Sequence, residues 1–120
     1  MPDTDQLLTA YIAMWNETDP RRRRALVEQT MTEDASYLDP LMAGEGVEQI
    51  DAMIAAAQQQ FPAHRFSLLD GSDAHHDRVR FSWSLAADGS EQPVAIGVDF
   101  AVLAGDGRMR AVTGFLEPAA

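Results

Sequence analysis

A phenol and a carboxylate stand two residues apart in the stretch Ser36-Tyr37-Leu38-Asp39-Pro40-Leu41. Side chains alternate along an extended strand, so Tyr37 and Asp39 point to one face. Pro40 fixes its own φ and drives Asp39 towards extended geometry, which ends the strand there. A carboxylate at a strand end beside a phenol is well placed to line a pocket, where both groups offer oxygen acid and base chemistry. The same residues also fit an Asp-Pro turn in which Asp39 faces water. Two more polar side chains fall where the pattern is apolar. Tyr11 lies on the helical stripe of Leu7, Leu8, Ile12 and Trp15, and a buried phenol needs a hydrogen-bond partner even where its ring is plain core. Asp99 interrupts the apolar run Val94 to Val102, and its own face carries only the small residues Ala95, Gly97 and Ala101. Such a carboxyl either forms a pocket wall, or faces solvent or pairs with Arg78 or Arg110.

Other chemistries are excluded. The chain has no Cys, which removes thiol nucleophiles and thiolate metal sites. All nine basic residues are Arg, so no lysine can form a Schiff base. His75 and His76, read as neighbours in a strand, point to opposite faces and cannot chelate together; with His64 they are expected to hold no metal. A net charge of −10, from 19 acidic and 9 basic residues, repels phosphate backbones and anionic lipid, so neither nucleic acid nor membrane is an expected partner. No apolar run approaches the roughly 20 residues of a bilayer span. The acidic start Met1-Pro2-Asp3-Thr4-Asp5 lacks the basic region of a signal peptide, and a cytoplasmic location is expected.

The elements that must position these groups follow from periodicity. One domain over residues 1–120 is expected. A helix over 3–17 is capped by Asp3 or Thr4, and a second runs from an Asp19 cap and Pro20 to about Met31. Its Arg21 to Arg24 point in all directions and read as a solvated face. A short strand, 35–39, leads through a loop at 43–46 to a third helix over about 47–60, ended by Phe61-Pro62. Strands follow at 65–69, 75–86, 93–103 and 108–116. In the long strand Val79, Phe81, Trp83 and Leu85 share one face, while Arg78 and Arg80 take the other; a reversed register would send the arginines into the pocket. Helices grouped ahead of a strand meander indicate α+β, with helices layered on one face of a curved, mostly antiparallel sheet.

Five pieces in this order carry a resemblance: Tyr11-Ile12, Asp34-Ala35 leading to Asp39-Pro40, Gly46-Val47-Glu48-Gln49-Ile50, Val98-Asp99-Phe100, and Gly107-Arg108-Met109. The chain from about Leu7 to Leu116 resembles the SnoaL-like and ketosteroid-isomerase-like branch of the nuclear transport factor 2 superfamily, a cone-shaped α+β fold enclosing a pocket. The resemblance implies an enzyme without cofactor, of isomerase or cyclase-type lyase class, acting on a small apolar or aromatic carbonyl compound. Asp39, Tyr11 and Asp99 match the isomerase base and its two hydrogen-bond donors. In those roles Asp39 moves a proton between carbons, while Tyr11 and a protonated Asp99 hold the enolate oxygen. Trp15, Tyr37, Met53, Phe81 and Trp83 are expected to line the ligand site. A homodimer through the outer sheet face is also implied. Ile54 stands where some isomerases carry a second tyrosine, and Tyr37 has no counterpart in that set. Limonene-epoxide-hydrolase-type relatives do carry that tyrosine, but Arg78-Val79-Arg80 and Gly114 stand where their carboxylates would be, which disfavours epoxide hydrolysis. The same fold also hosts non-catalytic ligand-binding or dimerisation modules, the alternative reading.

Overall fold

The computed structural model describes residues 4–117. Helix α1 (Thr4–Asn16) presents Leu7, Leu8, Tyr11, Ile12 and Trp15 inward, together with Met14. Of its two expected caps, Asp3 lies outside the described residues, and Thr4 is the first helical residue. Helix α2 (Pro20–Thr30) starts as its sequence dictates: Asp19 accepts a hydrogen bond from the Arg22 amide at 3.0 Å, and Pro20 opens the first turn. The arginine run is not wholly solvated. Four successive residues span the full circumference of a helix, so one must face inward, and that one is Arg23. It is buried, donates to Asp51 at 2.7 Å and to Gln58 Oε1 at 3.1 Å. Gln58 in turn donates to the carbonyls of Trp15 and Glu17, tying α3 (Gly46–Gln60) to the end of α1.

The sheet comprises β1 (Met31–Leu38), β2 (Ala43–Glu45), β3 (His64–Leu68), β4 (Asp73–His75), β5 (Arg78–Ala87), β6 (Pro93–Leu103) and β7 (Met109–Glu117). Its order is β2-β1-β7-β6-β5-β3, with β4 on β5. All pairings are antiparallel except β1 with β7. The helices cover one face of this curved, unclosed sheet, which makes an α+β cone. Strand β1 begins directly after α2, earlier than its sequence suggests. Residues 43–45, expected as loop, pair back onto β1.

The expected strand over 75–86 is two strands. His76 adopts φ 53°, the chain reverses, and β4 pairs with β5 from Asp73 opposite Arg80 to His75 opposite Arg78. In that turn the two imidazoles meet, Nδ1 to Nδ1 at 3.2 Å, instead of pointing apart. Among the described residues no cluster of three or more His, Cys, Asp or Glu is placed to hold a metal. The alternation in β5 keeps the expected register. Val79, Phe81 and Leu85 are buried, whereas Arg80 is exposed on the outer face and Arg78 pairs with Asp77. Also exposed are Leu38, Val94, Phe100 and Phe115. Among the described residues no helix is long and apolar enough to cross a membrane.

Candidate active site

The position of Asp99 follows from register. On β6 it sits opposite Phe81 of β5 and Gly114 of β7. Strand β1 runs parallel along the other edge of β7, with Leu38 opposite Thr113. Asp39, one residue past β1, therefore arrives beside Gly114. A Cβ at Gly114 would lie 2.7 Å from Asp99 Oδ1 and 3.2 Å from Asp39 Cβ. The missing side chain is the gap in which two carboxylates from different strands approach one another. Both line a cavity of about 80 Å³ bounded by α1, the end of α3 and the inner sheet face.

The Asp-Pro turn forms, and Asp39 is half-buried on the cavity wall. Asp39 Oδ1 accepts the amides of Leu41 and Met42 at 2.8 and 2.9 Å, closing the turn. Its Oδ2 accepts the Tyr37 hydroxyl at 2.6 Å, and the carboxylate still faces the cavity. Asp39 is thus an acceptor surrounded by three donors.

Asp99 has a different environment. It is buried; its partners are the Tyr11 hydroxyl, which donates to Oδ2 at 2.9 Å, and the Trp83 indole, which donates to Oδ1 at 3.1 Å. The arginines considered as partners lie elsewhere: Arg78 binds Asp77, and Arg110 is exposed. Burial pushes the Asp99 carboxyl up from 3.8 to about 6; the Trp83 and Tyr11 hydrogen bonds oppose this, and the Asp39 charge adds to it. Both phenols are held neutral. Burial raises Tyr11 well above the ordinary phenol value, and the Asp99 charge adds to the rise. Burial likewise raises Tyr37, reinforced by the charge of Asp99 and by the hydrogen bond and charge of Asp39.

The remaining walls are aromatic and mutually braced. Trp15 lies 5.6 Å from Tyr37 and 5.4 Å from Phe66, and Phe66 lies 5.4 Å from Trp83, all as ring-centroid separations. Of the residues singled out in the sequence, Tyr11, Asp39, Asp99, Trp15, Tyr37 and Trp83 come together around the cavity. Met53 and Phe81 do not. Met53 faces a shallow depression on α3 beside Met42 and Ala43. Phe81 points inward but sits behind Tyr11, ring against ring at 5.1 Å and 75°, and is core. Phe66, Phe61, Met42 and Leu116 also line the cavity. Phe66 and Leu116 are both recoverable from alternation: Phe66 pairs with the inward Leu85, and Leu116 shares a face with Val112 and Gly114 and lies opposite Gly97.

With this geometry in hand, residues 8–112 match the SnoaL-like domain family, and the chain belongs to that family. A proposed isomerase of the SnoaL-like family from Agrobacterium tumefaciens str. C58 is 46% identical, covers 94% of this chain and 96% of its own, and superposes with a TM-score of 0.88. Two more distant structures share the fold. A proposed polyketide cyclase from Sinorhizobium meliloti is 18% identical over 95% of this chain and 94% of its own, with a TM-score of 0.71. A proposed SnoaL-like polyketide cyclase from Jannaschia sp. CCS1 is 22% identical over 98% and 89%, with a TM-score of 0.70. No curated protein matches the chain.

Proposed function

We propose that the protein moves a proton on a small, planar, largely apolar carbonyl compound, without a cofactor. The observation that carries this reading is the pair of unlike carboxylates on one apolar cavity. Environments that set two titratable groups apart divide acid from base. Asp39, ringed by donors, is the base that takes a proton from carbon and returns it to a neighbouring carbon. Asp99 and Tyr11 form the hydrogen-bonding end. While Asp99 is ionised the pair holds one O–H, used internally at 2.9 Å. Once Asp99 is protonated the pair holds two, and one is free for an enolate oxygen. An apolar ligand expels water from the cavity, which favours that neutral form. The resemblance to a proposed isomerase of the same family supports the reaction class.

A cavity of about 80 Å³ makes a single-ring compound the first substrate to try. Isomerisation of 3-cyclohexenone to its conjugated isomer, followed by ultraviolet absorbance, is the test. Turnover by the wild type that Asp39→Asn reduces by about 10²-fold or more is expected for loss of a general base. Turnover that survives the substitution refutes the assignment. One observation favours a second reading, a non-catalytic binding module: every Asp39 and Asp99 oxygen already has a protein donor. In that case ligands bind without turnover, and both substitutions change affinity or stability alone. The exposed Leu38, Val94, Phe100 and Phe115 support a further part of the proposal, a homodimer formed through the outer sheet face.

A further inference from the structure

We propose that Trp83 is a positioning residue for the proton of Asp99: its indole N–H holds Oδ1 as an acceptor, so that the acid proton sits on Oδ2, beside Tyr11. An indole N–H can only donate. With Trp83 Nε1 at 3.1 Å from Oδ1, a proton on that oxygen would weaken it as the acceptor the indole needs, whereas the Tyr11 hydroxyl on Oδ2 can turn from donor to acceptor. The proton is therefore directed to Oδ2, the oxygen 2.9 Å from the Tyr11 hydroxyl.

The backbone is shaped for this contact. Trp83 sits opposite Gly97 in the β5–β6 ladder, two residues before Asp99. A Cβ at Gly97 would lie 2.2 Å from Cζ2, 2.5 Å from Cε2 and 2.9 Å from Nε1 of the indole. Atoms do not approach that closely, so any larger residue at 97 must displace the ring. Phe66 closes on the ring from β3, edge to face at 5.4 Å. A strand glycine here is a cradle that lets the indole lie across β6 and reach the next inward residue. The catalytic meaning of the inference rests on the proton-transfer reading; the hydrogen bond itself does not.

The test is chosen accordingly. The Trp83 indole ¹H–¹⁵N resonance, assigned by its absence in Trp83→Phe, is followed from pH 4.5 to 8 in the wild-type protein. It is expected to titrate with the Asp99 midpoint, near pH 6 if burial acts as described, and to lose that titration in Asp99→Asn. A resonance that does not move, or moves equally in Asp99→Asn, overturns the proposal whether or not the protein turns over any substrate. A titrating indole in a protein without turnover leaves the proposal standing and removes only its catalytic use. Trp83→Phe keeps an aromatic ring, though a smaller one, and deletes a donor to a charged group, so the Asp99 carboxyl midpoint, read by ¹³C, is expected to rise by about one pH unit or more. In a protein that turns over, the pH profile moves with it, and kcat falls about tenfold at little change in KM. Gly97→Ala, which keeps Trp83 but displaces the ring, is expected to reproduce both effects. An unmoved Asp99 midpoint in Trp83→Phe overturns the proposal.

Discussion

Replacing Asp99 by Asn should make the protein more stable, and increasingly so as pH rises. Asp99 is buried, and its carboxyl is raised from 3.8 to about 6 in the folded chain. Between those values the native state keeps a proton that the unfolded chain has released, so stability falls with rising pH. The contribution of Asp99 is fully present below about pH 4 and is lost as pH passes through 6. At about 1.4 kcal/mol per pH unit the full effect is about 3 kcal/mol, the cost of holding a charge in this site. The Asn side chain mimics the neutral acid: its carbonyl can accept from Trp83 and its amide can donate to the Tyr11 oxygen. Urea unfolding of both proteins at several pH values isolates the effect, because the other acidic residues are common to both. The variant's advantage should grow from below about 1 kcal/mol at pH 4 to about 3 kcal/mol at pH 8. A difference that stays constant with pH, or a variant less stable at pH 8, refutes the account of Asp99 as a charge held against its burial.

Three further outcomes follow from the geometry. Arg23→Met removes one partner of an ion pair whose side chains are 8% and 19% exposed; with Asp51 only partly buried, a loss of about 2–3 kcal/mol in urea unfolding is expected. Pairing it with Asp51→Leu should restore most of that loss, and no recovery would place the cost in packing instead. Gly114→Ala puts a Cβ within 2.7 Å of Asp99 Oδ1, so a loss of about 1–3 kcal/mol from overpacking is expected, together with weaker binding of any ligand that reaches both carboxylates; ligand affinity equal to wild type would show that the carboxylates do not share one site. Phe115→Glu places a charge on the most exposed large residue of β7; if the proposed dimer forms through this face, sedimentation should report a dimer for the wild type and a monomer for the variant, and an unchanged oligomeric state would move the interface elsewhere.

Much of the architecture was legible because it follows from local rules. Asp19-Pro20 caps and starts α2 by chemistry contained in those residues, and the stripe of Leu7, Leu8, Tyr11, Ile12 and Trp15 can be buried only on a helix. The alternation in β5 sorted Val79, Phe81 and Leu85 from the arginines, because adjacent strand residues must face opposite ways. Where local rules are ambiguous, tertiary contacts decide. His75-His76 fits a strand by alternation, yet the chain turns there at His76, and residues 73–75 pair back onto β5. Arg23 cannot be told from Arg21, Arg22 or Arg24 until Asp51 arrives from another helix.

The same division runs through the site. Residue type and position single out Tyr11, Asp39 and Asp99 as polar groups in apolar runs, since burying a polar group without a partner is costly. Which partner satisfies each is a matter of three dimensions. Tyr37 could be paired with Asp39 because two residues of one strand share a face. That Asp99 takes Trp83 rather than an arginine depends on the β5–β6 register and on the space over Gly97. The separation of the two carboxylates depends on a glycine in a third strand, Gly114. Met53 and Phe81 are inward-facing by pattern but lie outside the cavity, because periodicity gives the face of an element and not its depth. The fold, which rests on repeated local preferences, and the identity of the three polar groups can be read from the residues alone. Their hydrogen bonds and the shape of the cavity cannot, because those depend on distances between strands far apart in the chain.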